Sequence, residues 1–424
     1  MKTAVVTGAT GFIGNALTRK LIQEGVFVYA VGRSEKKLES LSRLQNVAVI
    51  QARFEEYGSL AEKVNCAPDV FYHCAYAGGF GADALKDYSL QLDNAKYACA
   101  AVESAIGMHC KKFVLTSTVN TAEILTFLNT ENFSPRFTCI YSAAKLASEL
   151  MGKTLAHQGG MQFCTALIAM PYGEGNLSQT LPNIVIRQLK NRTSPKLIEG
   201  NHLYDLIYID DVAEGLLAIG KCGKDFRDYY VGHRKLMTFR SWITKIRDAI
   251  SPEMELRFGE YPDAPALDYC FLDLDALFRD SGFEAAADFE SSIQRTAEWL
   301  IKMEGNGNGG GGRRVLQVKI RDFSEPEFNL EELCMKTAVV TGAAGFIGGA
   351  FTAYLLEKGY RVFAVSREPS RIKGALENEQ FRPVKADFSE YGLLSNQISK
   401  ADIFYHFAWD GVGGENAVNY EIQL

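Results

Sequence analysis

The 424-residue sequence has no Cys-x-x-Cys pair, no basic cluster and no apolar run long enough to cross a bilayer. Each absence removes a class of function. Nine cysteines, scattered from Cys66 to Cys334, are an odd number without metal-ligand spacing, which argues against a zinc site or a disulfide framework and suits a reducing cytoplasm. A net charge of -6 and a pI near 5.7 offer no basic surface to nucleic acid or anionic lipid. The apolar start is soon interrupted by glycines, Arg19 and Lys20, so it reads as a first strand rather than a leader peptide. The expectation is a cytoplasmic protein that needs no metal, membrane or nucleic acid, acts on small molecules, and is long enough for two or three domains.

What is present begins with glycine. Thr7-Gly8-Ala9-Thr10-Gly11-Phe12-Ile13-Gly14 follows the apolar run Ala4-Val5-Val6 and leads into a helical pattern of Ile13, Ala16, Leu17 and Leu21. Strand, glycine turn and helix in that order suit a dinucleotide. Gly8 lets the chain turn, Gly11 lets the backbone approach a pyrophosphate, and Gly14 lets the helix pack on the strand. Amides at the helix N-terminus then hold the anion.

Further strands are expected at Val26 to Val31, Val47 to Ala52, Asp69 to His73 and Lys112 to Thr118, with a helix from about Asp87 to Gly107. Strands alternating with helices imply an α/β fold with a doubly wound parallel sheet, the Rossmann arrangement, whose ligands sit at the carboxyl ends of the strands. At the end of the second strand an NAD enzyme usually places an acid, whereas this chain has Gly32 and Arg33. A cation without a carboxylate favours a 2′-phosphate, so NADP is preferred over NAD. The small residues from Cys74 to Gly79 suit a backbone that lines the cofactor.

Tyr141 and Lys145 stand one helical turn apart at the start of another helical segment. Together with Thr7 to Gly14, Asp69 to Ala75, Thr116 to Thr118, Asn94, Pro171-Tyr172-Gly173 and Ile207 to Ala213, they resemble the extended short-chain dehydrogenase/reductase family, in particular its NAD(P)-dependent sugar epimerase/dehydratase group. The resemblance runs to about Met303. It implies a cofactor site built from Gly8, Thr10, Gly11, Phe12, Ile13, Gly14, Arg33, Ala75, Lys145 and Pro171. It implies a catalytic set of Tyr141, Lys145 and Thr118, with Ser117 as second choice for orienting the substrate oxygen. A phenol titrates near pH 10 and must be lowered to act near neutrality, a task for the Lys145 ammonium. The family also implies a homodimer.

Departures from the family pattern narrow the chemistry. Sugar dehydratases carry an Asp-Glu pair after the threonine, whereas Val119 and Asn120 follow Thr118, which disfavours 4,6-dehydration. Tyr204 stands before Asp205 where members that grip a diphosphate commonly have arginine, leaving Arg187, Arg234 and Lys235 as possible substitutes. Arg53 stands where an acid near the adenine is usual. The expected function is an NAD(P)-dependent epimerase or related oxidoreductase acting on a sugar or nucleotide-sugar. A carbonyl reductase of the same family is the alternative, and a non-catalytic dinucleotide sensor the alternative of another class.

The organisation expected is one enzyme module over 1–304, with a cofactor-binding core to about residue 170 and a substrate region from 171. A glycine-rich linker follows over 305–334, and a truncated repeat over 335–424. Met335 to Ala343 repeats Met1 to Ala9 residue for residue, and Gly342, Gly345 and Gly348 restore the turn. Arg367 matches Arg33, Asp387 matches Arg53 and Phe404 to Trp409 match Phe71 to Tyr76. The repeat carries no hydroxyl-bearing strand and no Tyr-x-x-x-Lys helix, so it is expected to catalyse nothing. Met335 suggests fusion of adjacent reading frames, preferred here over a retained docking half domain.

Overall fold

The protein is described from a computed structural model covering residues 1–424 except 80, 131–134, 137, 262–266, 306–335, 373–377, 399–400 and 410–424. All but the first residue of the expected linker lies outside the described residues. The chain divides into two compact units, 1–312 and 313–424.

In the first unit, β1 (Thr3–Thr7), α1 (Phe12–Gln23), β2 (Phe27–Gly32), β3 (Val47–Gln51) and β4 (Val70–His73) lead to α2 (Tyr88–Gly107). Next come β5 (Lys112–Thr118), α3 (Thr121–Asn129), α4 (Thr138–Gln158), β6 (Gln162–Ile168), α5 (Ile209–Cys222), β7 (Arg227–Val231) and α6 (Phe289–Gly305). Seven parallel strands lie in the order β7-β6-β5-β4-β1-β2-β3. The order reverses between β1 and β4, and a crevice opens at the carboxyl ends of strands where such a reversal occurs.

Alternation along the strands builds two cores. Ala4 and Val6 face Leu17 and Leu21 of α1. Val5 faces the other way, into a layer with Val102 of α2 and Ala156 of α4. In that layer Phe71, Phe113 and Phe163 stack across three strands at centroid distances of 5.2 and 5.4 Å. Each such ring contributes about 1.5–3 kcal/mol through burial, so the frame behind the crevice is stiff.

Beyond β6 the chain adds a short parallel pair, Met170–Tyr172 with Leu206–Tyr208, and an antiparallel pair, Leu203–Tyr204 with Met237–Thr238. The expected element limits shift by a residue at several ends, and α4 begins at Thr138, one turn before Tyr141. The cause is long-range: the buried Glu123 carboxylate of α3 accepts the hydroxyls of Thr138 and Ser142 and so extends the start of α4.

The second unit repeats the same beginning. β8 (Thr337–Thr341), α7 (Phe346–Glu357), β9 (Arg361–Ser366), β10 (Phe381–Lys385) and β11 (Ile403–His406) form a parallel sheet in the order β10-β9-β8-β11. The Thr7 hydroxyl meets His73 Nδ1 at 2.9 Å, and Thr341 meets His406 at 2.7 Å. One difference is pronounced: Phe71 is fully buried, whereas its counterpart Phe404 on the edge strand β11 is 54% exposed.

Candidate active site

At the glycine turn, Gly8 has φ 66°, and a Cβ there would stand 2.8 Å from the Ala75 backbone. A Cβ on Gly14 would stand 2.2 Å from the Gly8 carbonyl oxygen. The turn is therefore closed against side chains on two sides and open on the third. Gly11 caps α1, and among the described residues no side chain bonds its N-terminus, which leaves the amides of Phe12 and Ile13 at the positive end of the helix dipole. A cavity of about 500 Å³ borders the turn through Thr10, Gly11 and Phe12 and reaches Arg295; it does not include Tyr141, Lys145 or Thr118. Arg33 is exposed at the end of β2, its guanidinium 5.3 Å from the centroid of Phe54. Pro171 is half-buried in the strand following β6.

The second part of the site lies where β5 ends against α4. Tyr141 and Lys145 are both buried on one face of the helix. Burial pushes the Tyr141 phenol up, and a hydrogen bond with the Thr118 side chain only partly offsets this. Lys145 Nζ donates to the Thr116 carbonyl at 3.1 Å and sits 4.1 Å from the centroid of Tyr76. Burial pushes Lys145 down to about 8. Lys145 is directed to Thr116 and the Tyr76 ring, and desolvation is the leading influence at Tyr141.

Thr118 and Ser117 separate in role. Thr118 reaches Tyr141, whereas Ser117 donates to the buried Glu149 carboxylate. Ala75 contributes backbone beside Gly8. Asn94 is a clasp: its Oδ1 accepts Ala77 N–H at 2.7 Å and its Nδ2 donates to Ala77 O at 3.2 Å.

Four contributors escaped the sequence reading. Tyr76 interrupts the small-residue stretch, sets its ring edge-on to Tyr141 at 5.5 Å, and donates its hydroxyl to buried Gln91. Glu123 is 1% exposed and pairs with Arg136 at 2.6 Å while gathering the start of α4. Glu149 was visible in principle, since it stands two helical turns from Tyr141 on the same face. Glu123 and Arg136 have no such local signal, because their meeting depends on tertiary approach.

Beyond β6, Tyr204 packs on Phe239 and its carbonyl accepts the Trp242 indole N–H at 2.9 Å. Asp205 is buried and accepts His233 Nδ1 at 2.8 Å and the Tyr230 hydroxyl at 2.5 Å. Arg187 is paired with Glu304 and Arg234 with Asp275, each at 2.6 Å. Arg53 gives its backbone N–H to Glu56 at 2.6 Å at the start of a 3-10 turn. Among the described residues no cluster of three or more His, Cys, Asp or Glu side chains is placed to hold a metal, and no helix is long and apolar enough to cross a membrane.

Comparison with known proteins matches residues 4–232 and 338–422 to the model of the NAD dependent epimerase/dehydratase family. A probable UDP-glucuronate 4-epimerase of Rhizobium meliloti is 25% identical over 70% of this chain and 96% of its own length. A probable dTDP-glucose 4,6-dehydratase of Sinorhizobium fredii is 24% identical over 70% of this chain and 92% of its own. Among solved structures, the Bordetella bronchiseptica enzyme WbmF in complex with NADH superposes with a TM-score of 0.59 at 19% identity, covering 72% of this chain and 93% of that one. This last likeness is one of fold.

Proposed function

Because the chain belongs to the NAD dependent epimerase/dehydratase family, matched through both of its units, we propose that the first unit is an NAD(P)-dependent epimerase of a nucleotide-sugar with Tyr141 as its acid/base. The observation that carries this is the placement of a buried phenol and a buried lysine, one turn apart, against Thr118 at the carboxyl end of β5. The glycine turn fits the cofactor's pyrophosphate, since its backbone approaches so closely that a methyl group at Gly8 or Gly14 would collide. Gly8 to Gly14 and Lys145 would hold the cofactor, whose oxidised nicotinamide would take the hydride from the sugar carbon and then return it.

Thr118 orients the sugar hydroxyl, and Tyr141 takes its proton and later returns it. Such proton transfer contributes about 10²–10⁴-fold. For this the phenol must be lowered, and a Lys145 ammonium turned toward Tyr141 does so by favouring the phenolate. Epimerisation is favoured over dehydration because Val119 and Asn120 follow Thr118, and the next acid, Glu123, is engaged by Arg136, Thr138 and Ser142. The relatives named for UDP- and dTDP-sugars support a nucleotide-sugar substrate.

Arg33 beside Gly32 supports NADP and with it a second reading, a carbonyl reductase that turns NADPH over. Denaturing the purified protein and identifying what it releases separates the two. Bound cofactor that stays with the protein, together with interconversion of UDP- or dTDP-sugars followed by NMR, supports the epimerase. Release of no cofactor, with NADPH consumed on a keto-sugar, replaces it with the reductase.

We further propose a homodimer formed through the outer faces of α2 and α4, where Tyr88, Leu92 and Leu150 are 70, 61 and 58% exposed. Sedimentation of a Leu92→Glu/Leu150→Glu variant as a monomer is the expected result.

A further inference from the structure

The face of α4 that carries Tyr141 and Lys145 continues one turn at a time to Glu149 and then Lys153, and the first three of these residues are buried. Glu149 has no part in the chemistry above. A carboxyl 4% exposed nevertheless needs a reason, because burying an unpaired acid is costly. Its Oε1 accepts the Ser117 hydroxyl. Ser117 lies between Thr116, whose carbonyl receives Lys145 Nζ at 3.1 Å, and Thr118, whose side chain bonds Tyr141. Three consecutive residues at the end of β5 thus engage three residues spaced by single turns along α4.

We propose that Glu149 is a positioning residue for the acid/base pair: anchored by Ser117, its carboxylate keeps Lys145 charged and the end of β5 in register with α4. This rests on the reading of Tyr141 and Lys145 given above. Around Lys145 stand Glu149 on its own helix, Cys74 and His73 at the end of β4, and the Tyr76 ring. Around Glu149 stand Ser117 on β5, Lys145 and Lys153 on α4, and Asp228 on β7. Lys153 and Asp228 pair with each other at 2.6 Å, which leaves Glu149 as the leading negative charge acting on Lys145. Burial pushes Glu149 up to about 7 and Lys145 down to about 8, so near pH 8 each charge offsets part of the other's desolvation.

The test uses the full chain and needs no substrate. Competitive acetylation across pH, read by mass spectrometry, gives the titration midpoint of Lys145. Glu149→Gln keeps an oxygen for Ser117 and removes the charge, and is expected to move that midpoint down by about half a unit or more. Glu149→Asp, which retains the charge, is expected to restore part of the shift. A folded Glu149→Gln protein whose Lys145 midpoint is unchanged overturns the proposal, even if its melting temperature falls. Should that variant not fold, Ser117→Ala takes its place. It removes the anchor, raises the Glu149 pKa and is expected to lower the Lys145 midpoint in the same direction, while no shift overturns the proposal. An undiminished turnover in Tyr141→Phe is the separate result that sinks the acid/base reading, and the lysine titration is independent of it.

Discussion

Gly14 and Lys145 show how single residues carry the account. A methyl group on Gly14 would meet the Gly8 carbonyl at 2.2 Å, which no real contact allows. Gly14→Ala must therefore open the turn, at about 1–3 kcal/mol of stability and at least about a tenfold loss of NADH affinity measured by nicotinamide fluorescence. Gly107→Ala, where the added carbon meets Ala61 at an ordinary 3.6 Å, is the control that lowers neither stability nor NADH affinity. In the role proposed for it Lys145 holds the cofactor through its charge, and burial pushes its pKa down to about 8. NADH affinity is accordingly expected to fall as pH rises through that value. The Tyr76 ring favours the charged lysine by about 0.5–2 kcal/mol. Tyr76→Leu should therefore move the fall to lower pH, whereas Tyr76→Phe, which keeps a ring, should leave it in place.

Among the elements, α4 gathers the most long-range constraint, and its contribution to stability depends on pH with a definite sign. Glu149 is raised by burial from the ordinary 4.5 to about 7, so the folded state binds more protons than the unfolded state between those values. Its stabilisation is then complete below pH 4.5 and is lost as pH rises to 7. The melting temperature of the wild-type chain minus that of Glu149→Gln should decline across that window and level off above it; a difference that grows with pH would contradict the assignment. The strands, the glycine turn and the Tyr-x-x-x-Lys helix were legible in the sequence because periodicity and glycine spacing are local signals. The start of α4 at Thr138, the clasp of Asn94 on Ala77 and the Glu123–Arg136 pair were not, since each is made by residues distant in sequence. Ser117 could not be told from Thr118 until the sheet showed which hydroxyl turns toward Glu149.

For the whole molecule, the repeated glycine turn does not count active sites. Gly348 approaches the Gly342 carbonyl as closely as Gly14 approaches that of Gly8, yet the second unit's described residues hold no counterpart of Thr118, Tyr141 or Lys145. Its edge strand leaves Phe404 in solvent where Phe71 is sealed by β5 and the helices. Residues 335–424 alone are expected to show no cooperative unfolding transition in denaturant, since among the described residues β11 leaves the large apolar Phe404 exposed. The central proposal is that the catalytic centre of the first unit uses Tyr141 as its acid/base. Its most direct test is the turnover of full-length Tyr141→Phe on a UDP- or dTDP-sugar that the wild-type chain interconverts, with NADH affinity measured alongside. The account predicts at least about a hundredfold loss of turnover with NADH affinity retained; undiminished turnover would contradict it.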